Sequence, residues 1–131
     1  MPRRKSETLT DVELELMQIV WEKGEVSTDE MQRELKTRGR DVSDGTIRKF
    51  FSILRKKGYV LRRRQGREAL HRPNVEREAA ARSLLRDFVR RAFDGSATLL
   101  VASLLDSRAV RKGDLETIKK MIAEHEKELR R

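Results

Sequence analysis

The first 58 residues repeat one local pattern three times: an apolar residue, a residue suited to cap a helix, and then apolar residues at helical spacing. The capping positions are Thr10, Ser27 and Ser43, and the glycines that follow the helical patterns are Gly24, Gly39 and Gly58. A Ser or Thr side chain accepts a hydrogen bond from the first turn of a helix, and glycine commonly follows the last turn. The chain is therefore predicted to begin with three short helices.

Two short segments after the third helix predict a β-hairpin. Tyr59 to Arg63 and Arg67 to Arg72 flank a turn that contains Gly66, and Pro73 ends the second segment. Glycine readily adopts the positive φ that such a turn needs. Three helices followed by a hairpin is the order of a winged helix. We therefore expect a mainly α fold with a small β-hairpin wing, in which residues 1–73 form a winged helix-turn-helix domain.

Residues 74–131 have a different pattern, which predicts a helical dimerisation domain. Helical spacing of apolar residues extends from Asn74 to Phe93 and again from Asp114 to Leu129, whereas Ala97 to Leu105 is apolar on nearly every face. An all-round apolar helix must be buried, and a second copy of the chain is its simplest cover. The predicted interface residues of a homodimer are Leu84, Leu85, Phe88, Phe93, Leu99, Leu100, Leu104, Leu105, Ile118 and Ile122.

Composition excludes several classes of site. The chain has no cysteine, which rules out disulfides and thiolate metal sites. The longest nearly apolar run, 97–105, is far shorter than the ~20 residues that a membrane span needs, and no apolar stretch follows the charges at the N-terminus. We expect a cytoplasmic protein without a cofactor, a bound metal or a membrane partner.

Charge is concentrated in one stretch of the chain. Residues 46–72 hold ten basic side chains and a single acid, Glu68, whereas basic and acidic residues are equal in number elsewhere, so this stretch carries the whole net charge of +9. A solvent-exposed protein surface normally carries both positively and negatively charged side chains. Charge of one sign on the third helix and the hairpin favours a polyanionic partner, and we expect double-stranded DNA.

The third helix is predicted to enter the major groove. Its apolar face uses Ile47, Phe50, Phe51 and Leu54, which leaves an open side made of Ser43, Asp44, Gly45, Thr46, Arg48, Lys49 and Ser52. Arg48 suits a bidentate contact with a guanine edge, and Thr46 suits a thymine methyl or a phosphate. The Asp44 carboxylate either interacts favourably with the positive end of the helix dipole or accepts a hydrogen bond from a cytosine. Arg48 and Lys49 either read bases or contact phosphates only.

The hairpin is predicted to contact DNA along the backbone or in the minor groove, where arginine is favoured. Its candidate residues are Arg62, Arg63, Arg64, Gly66 and Arg67. Arg55, Lys56 and Lys57 lie at the C-terminal end of the third helix, where cations complement the helix dipole. Arg3, Arg4 and Lys5 form either a basic arm or an ordinary chain end.

Several of these pieces occur together in a known family. They are the segment from Leu9 to Met17 followed by Val20-Trp21, then Ser43, Thr46-Ile47-Arg48, Lys57-Gly58, Gly66-Arg67, Pro73, Phe93, Gly95-Ser96 and the helix from Leu115 to Ile122. In this order and spacing the chain resembles the penicillinase-repressor family of winged-helix regulators. The resemblance implies a homodimer that binds a palindromic operator and blocks transcription.

The chain departs from that family at positions that affect which DNA sequence it would bind and how it would be released from DNA. Gly45 stands where many members have lysine, which implies a different operator. The drug-resistance repressors of the family lose repression when a membrane sensor-protease triggers cleavage of an Asn-Phe bond, which would fall near Ser103-Leu104 in this chain. The cysteine cluster of the copper-responsive branch is absent. A sensor-protease partner is therefore left open.

Three other function classes compete with a repressor, and one of them, a protein-interaction module that uses the winged helix as a scaffold, is disfavoured by the one-signed charge of residues 46–72. An enzyme would need a base, and His71 and His125 are interpreted as packed or surface residues; no phosphate loop or metal-ligand spacing accompanies them, so no catalytic residue is expected. An RNA- or ribosome-associated winged-helix protein is the alternative. Stacking aromatics among the basic residues would favour it, but Phe50 and Phe51 have the spacing of core residues.

Overall fold

A computed structural model describes residues 8 to 131 and confirms the predicted mainly helical fold with a small antiparallel sheet. The first part of the chain contains α1 (Asp11–Lys23), β1 (Val26–Ser27), α2 (Thr28–Thr37), α3 (Asp44–Lys56), β2 (Val60–Gln65) and β3 (Glu68–Pro73). It continues with α4 (Arg77–Phe93), α5 (Ala97–Asp106) and α6 (Lys112–Leu129). The chain divides into two compact units between Asp87 and Phe88. Arg3, Arg4 and Lys5 lie outside the described residues.

The three predicted helix caps are confirmed. The Thr10 hydroxyl accepts from the Glu13 backbone N–H at 3.3 Å, and the Glu13 carboxylate accepts from the Thr10 N–H at 3.0 Å. Ser27 and Glu30 repeat this reciprocal arrangement at the start of α2. Such a pair satisfies backbone donors that the helix itself leaves open, which explains why each helix begins where it does.

The sheet has the strand order β1-β3-β2, with both pairs antiparallel. Gly66 forms the hairpin turn with a φ of 65°, as the sequence predicts. The short strand β1 was not predicted, because two residues are too few to show an alternating pattern. In the central strand β3, His71 lies opposite Val26 on one side and opposite Arg62 on the other.

A buried apolar core joins the three helices to the sheet. Its fully buried side chains include Leu16, Met17, Met31, Leu35, Ile47, Phe51 and Leu54. Phe50 was predicted to be buried with them but is only half-buried at the edge of the core. The apolar stripe of α3 is therefore narrower than predicted, and the core leaves the other faces of the helix uncovered.

A buried ion pair ties the end of α3 to the start of α1. Lys57 Nζ lies 2.6 Å from Glu13 Oε1 and also donates to the Thr8 carbonyl at 3.0 Å. The sequence predicted that at least one of Arg55, Lys56 and Lys57 complements the helix dipole; the main partner of Lys57 is a carboxylate that is itself buried. A buried pair of this kind is costly to break on one side only, because the other charge is then left unpaired.

The start of α4 packs on the first unit. The indole N–H of Trp21 donates to the Val75 carbonyl at 2.8 Å, and the Arg77 guanidinium lies 5.7 Å from the centre of the Trp21 ring. Ala80 is buried and Leu84 packs against the same core. The residues just after Pro73 thus share the core of the first unit. The predicted boundary between 73 and 74 stays a prediction, and the compact units divide 14 residues later.

The second unit exposes its apolar side chains in the single chain. Ser96 caps α5 by accepting from the Leu99 N–H at 3.1 Å, and the rings of Phe88 and Phe93 meet edge to face at 5.6 Å. In the described chain neither α5 nor α6 has a buried residue. No helix within residues 8 to 131 has the length and apolar character to cross a membrane.

Candidate nucleic-acid interface

The N-terminal turn of α3 presents its polar side to solvent. The Ser43 hydroxyl accepts from the Thr46 N–H at 3.2 Å and lies 3.0 Å from the Thr46 hydroxyl. Both residues are exposed, and a Cβ on Gly45 would meet nothing within 4 Å. This end of the helix is therefore open to a partner.

Arg48 and Asp44 form an ion pair on this open side. Arg48 Nη2 lies 2.8 Å from Asp44 Oδ2, one helical turn away, and 72% of the Arg48 side chain is exposed. Such an exposed pair contributes little to folding stability, so Arg48 is available to a ligand. Lys49 is exposed beside it, and Ser52 is half-buried further along the helix.

The hairpin arginines divide between the two faces of the sheet. Arg62, Arg64 and Arg67 line a cleft of about 440 Å³ together with Arg48 and Asp44. Arg63 points the other way, because successive residues of a strand face opposite sides, and its guanidinium is held by Glu25 through two hydrogen bonds of 2.8 Å. Arg64 also donates to the Arg67 carbonyl at 3.3 Å, across the turn that Gly66 forms.

Arg55 and His71 line this cleft but were not among the predicted site residues. Arg55 lies two turns after Arg48 on the same face of α3, and both line the cleft. The seven-residue spacing between Arg48 and Arg55 could have indicated from the sequence that both side chains lie on one face of the helix. His71 also lines the cleft, although only 3% of it is exposed, and its ring stacks on Phe51 with the centroids 3.6 Å apart. Its position follows from its register opposite Arg62, which depends on the hairpin geometry.

His71 is held in its neutral form. Burial, together with the nearby positive charges of Arg55 and Arg62, lowers the pKa of His71 to about 4. Burial and the charge of Arg62 also lower the pKa of Arg55. The cleft therefore has a strongly positive interior.

The residues predicted for a dimer interface are spread over three helices. Leu85, Phe88, Leu99, Leu104, Leu105 and Ile122 are exposed. Leu84, Phe93, Leu100 and Ile118 are half-buried, and Leu84 is engaged with the core of the first unit. Most of the set thus lies on the surface of the single chain.

Comparison with known proteins places the chain in a family. The profile described as Penicillinase repressor matches residues 9–124. The chain is 24% identical to the penicillinase repressor of Bacillus licheniformis over 122 residues, which cover 93% of this chain and 94% of that protein. It is 23% identical to the methicillin resistance regulatory protein MecI of Mammaliicoccus sciuri over 118 residues, covering 90% and 95% of the two chains.

A solved structure supports the same assignment. The solution structure of the DNA-binding domain of the repressor BlaI is similar, with a TM-score of 0.50 and 29% identity, and the match covers 57% of this chain and 90% of that domain. The predicted resemblance is thereby confirmed. Because the profile match extends over most of its length, this chain belongs to the penicillinase repressor family, a family of transcriptional repressors and not of enzymes.

Proposed function

We propose that the protein represses transcription by binding a palindromic operator in double-stranded DNA as a homodimer. The observation that carries this proposal is the charge on one surface. Arg48 on α3 and Arg62, Arg64 and Arg67 on the hairpin line the same cleft, and the stretch 46–72 holds the whole net charge of the chain. Contacts between basic side chains and phosphates supply most of the affinity of proteins for DNA.

In this proposal α3 enters the major groove and its N-terminal residues reach the base edges. The contacting residues are Ser43, Asp44, Gly45, Thr46, Arg48, Lys49 and Ser52. The exposure of Arg48 supports a role in base reading, and Asp44 is placed to hold its guanidinium in one orientation. An oriented arginine matches the two acceptors of a guanine edge.

The hairpin acts as the wing on the sugar–phosphate backbone or in the minor groove. Its proposed contacts are Arg62, Arg63, Arg64, Gly66 and Arg67. Arg62, Arg64 and Arg67 face the same cleft as Arg48, so in this proposal they contact the DNA strand that lies next to α3. Arg63 joins them only if it leaves Glu25.

The second unit supplies the proposed dimer interface. Leu99, Leu104 and Leu105 of α5 are about half exposed, and so is Ile122 of α6. Apolar surface of this extent normally marks an interaction site. A two-fold dimer would present two copies of α3, and the two-fold symmetry of the protein implies a palindromic operator.

A titration of mixed-sequence duplex DNA at several salt concentrations tests the proposal. We expect binding at low ionic strength that weakens with salt, because released counterions drive the association. Arg62→Gln should flatten this dependence, whereas Arg82→Gln, on an exposed position of α4, removes the same charge and should not. Absence of salt-dependent binding would contradict the proposal.

The same titration with single-stranded RNA addresses the alternative. RNA recognition needs exposed aromatic rings for base stacking. Within the basic stretch Phe51 and Tyr59 are buried and Phe50 is half-buried, which favours DNA. Tighter binding of RNA than of duplex DNA would reverse that preference.

A further inference from the structure

The cleft between α3 and the hairpin has an unusual set of charges. Five arginines and three carboxylates line it, so it has a surplus of positive charge. Asp44 is paired with Arg48. Within residues 8 to 131, neither Asp29 nor Glu68 forms an ion pair with Arg55 or Arg62, which line the same cleft.

Arg55 and Arg62 both line the cleft, and neither has an ion-pair partner among the described residues. Each lies near enough to His71 to oppose its protonation, and the charge of Arg62 lowers the pKa of Arg55. Bringing like charges together costs free energy, which a bound anion would offset. The planar guanidinium also presents paired donors whose spacing matches the oxygens of a phosphate.

His71 provides an independent indication of a ligand. Both of its ring nitrogens are buried and neither has a hydrogen-bond partner among the described residues. A neutral imidazole still carries one N–H donor, and a buried donor without a hydrogen-bond partner is energetically unfavourable. The ring cannot turn freely, because it stacks on Phe51. An oxygen atom entering the cleft would satisfy this donor.

We propose that the cleft binds a single phosphate-type oxyanion, held by Arg55 and Arg62 beside the edge of the His71 ring that carries its N–H. The inference deepens the proposed function and partly rests on it, since one source of the anion is a backbone phosphate of the bound duplex. The other source is a free oxyanion of the same chemistry. In either case the anion is the partner that Arg55, Arg62 and His71 lack within the described chain.

Titration of the full chain with inorganic phosphate, followed by NMR of the histidine rings, tests the site. The chain has two histidines, and the exposed His125 on α6 is an internal control. We expect a saturable shift of the His71 signals and none at His125. Arg62→Gln should weaken binding by about tenfold, as expected for loss of a charged hydrogen bond.

Two further variants keep this test independent of folding. Arg62 is exposed, and Arg62→Lys retains its charge but loses the paired donors, so it should restore binding only in part. Arg82→Gln should bind phosphate like the unaltered chain. A His71 signal that does not respond to phosphate, or that responds equally in Arg62→Gln, would overturn the proposal.

Addition of a duplex separates the two sources. If a backbone phosphate occupies the cleft, the duplex shifts His71 and abolishes the response to inorganic phosphate. If the occupant is a free oxyanion, the duplex leaves His71 unchanged and phosphate still binds. Salt-dependent duplex binding with no response of His71 to either probe refutes the site but not the repressor function. A response of His71 to phosphate without duplex binding supports the anion site and contradicts the repressor function.

Discussion

The guanidinium of Arg63 donates two hydrogen bonds of 2.8 Å to the Glu25 carboxylate, one from Nε and one from Nη2. The hydrogen bond from Arg63 lowers the pKa of Glu25, and the same bond raises the pKa of Arg63. Arg63 is thus occupied on the face of the hairpin opposite to Arg62 and Arg64. One wing arginine is restrained while its neighbours remain available.

Releasing Arg63 should strengthen DNA binding. In Glu25→Gln the guanidinium loses its charged partner and becomes free to neutralise a phosphate, so we expect the salt dependence of duplex binding to steepen by about one unit. Glu22→Gln is the control, because it removes the same charge away from the hairpin and leaves Arg38 paired with Glu34. An equal slope in both variants would mean that Arg63 does not reach the DNA.

Replacing Arg48 should change which sequences are bound. If its guanidinium reads a guanine, Arg48→Ala should relax preference at one position in each half-site at a cost of about 1–3 kcal/mol. Selection of binding sites from a random duplex library measures this directly. Uniform weakening across all sequences would instead identify Arg48 as a phosphate contact.

An acidic side chain in α5 should dissociate the dimer. We expect the unaltered chain to sediment as a dimer and Leu104→Glu to sediment as a monomer, because an unpaired charge in an apolar interface is strongly unfavourable. Gln18→Glu, on an exposed position of α1, is the matched control and should remain dimeric. A monomeric unaltered chain would contradict the proposed interface.

Stability should fall in mild acid because of His71. Its pKa is lowered to about 4 in the folded chain, whereas an unfolded histidine titrates near 6.5. Between these values the unfolded chain binds more protons, so the free energy of unfolding is fully retained above about pH 6.5 and falls as pH decreases toward 4.

Urea unfolding at two pH values measures this effect. Between pH 7 and pH 5 we expect His71 to account for on the order of 1–2 kcal/mol of lost stability. His71→Phe keeps a flat ring against Phe51, and its free energy of unfolding should fall less between the two pH values by the amount that His71 contributes. His125→Gln should lose as much stability as the unaltered chain. The same loss in His71→Phe would exclude His71 as its cause.

Local features were predictable from the sequence, and long-range pairings were not. The caps at Thr10, Ser27 and Ser43 depend on residues three positions away, which is why the starts of the first three helices were predicted well. The hairpin turn likewise depends on Gly66 alone. Each of these features is decided within one turn of the chain.

The partners of Lys57 and Arg55 show where such reasoning fails. Lys57 pairs with Glu13, 44 positions earlier, and no local pattern indicates that pairing. Arg55 meets Arg62 and His71 in the cleft only because the hairpin pairs Arg62 with His71, so its partners there depend on strand register. The compact units also divide inside α4, where the helical spacing continues without a break.

Trp21 is the single tryptophan of the chain, and it lies where the sheet gives way to α4, with its indole N–H on Val75 and Arg77 above its ring. Its emission therefore reports on the first unit alone, whereas far-ultraviolet circular dichroism records the helices of both units. Comparing the two signals during denaturation will show whether the second unit melts together with the first or separately from it.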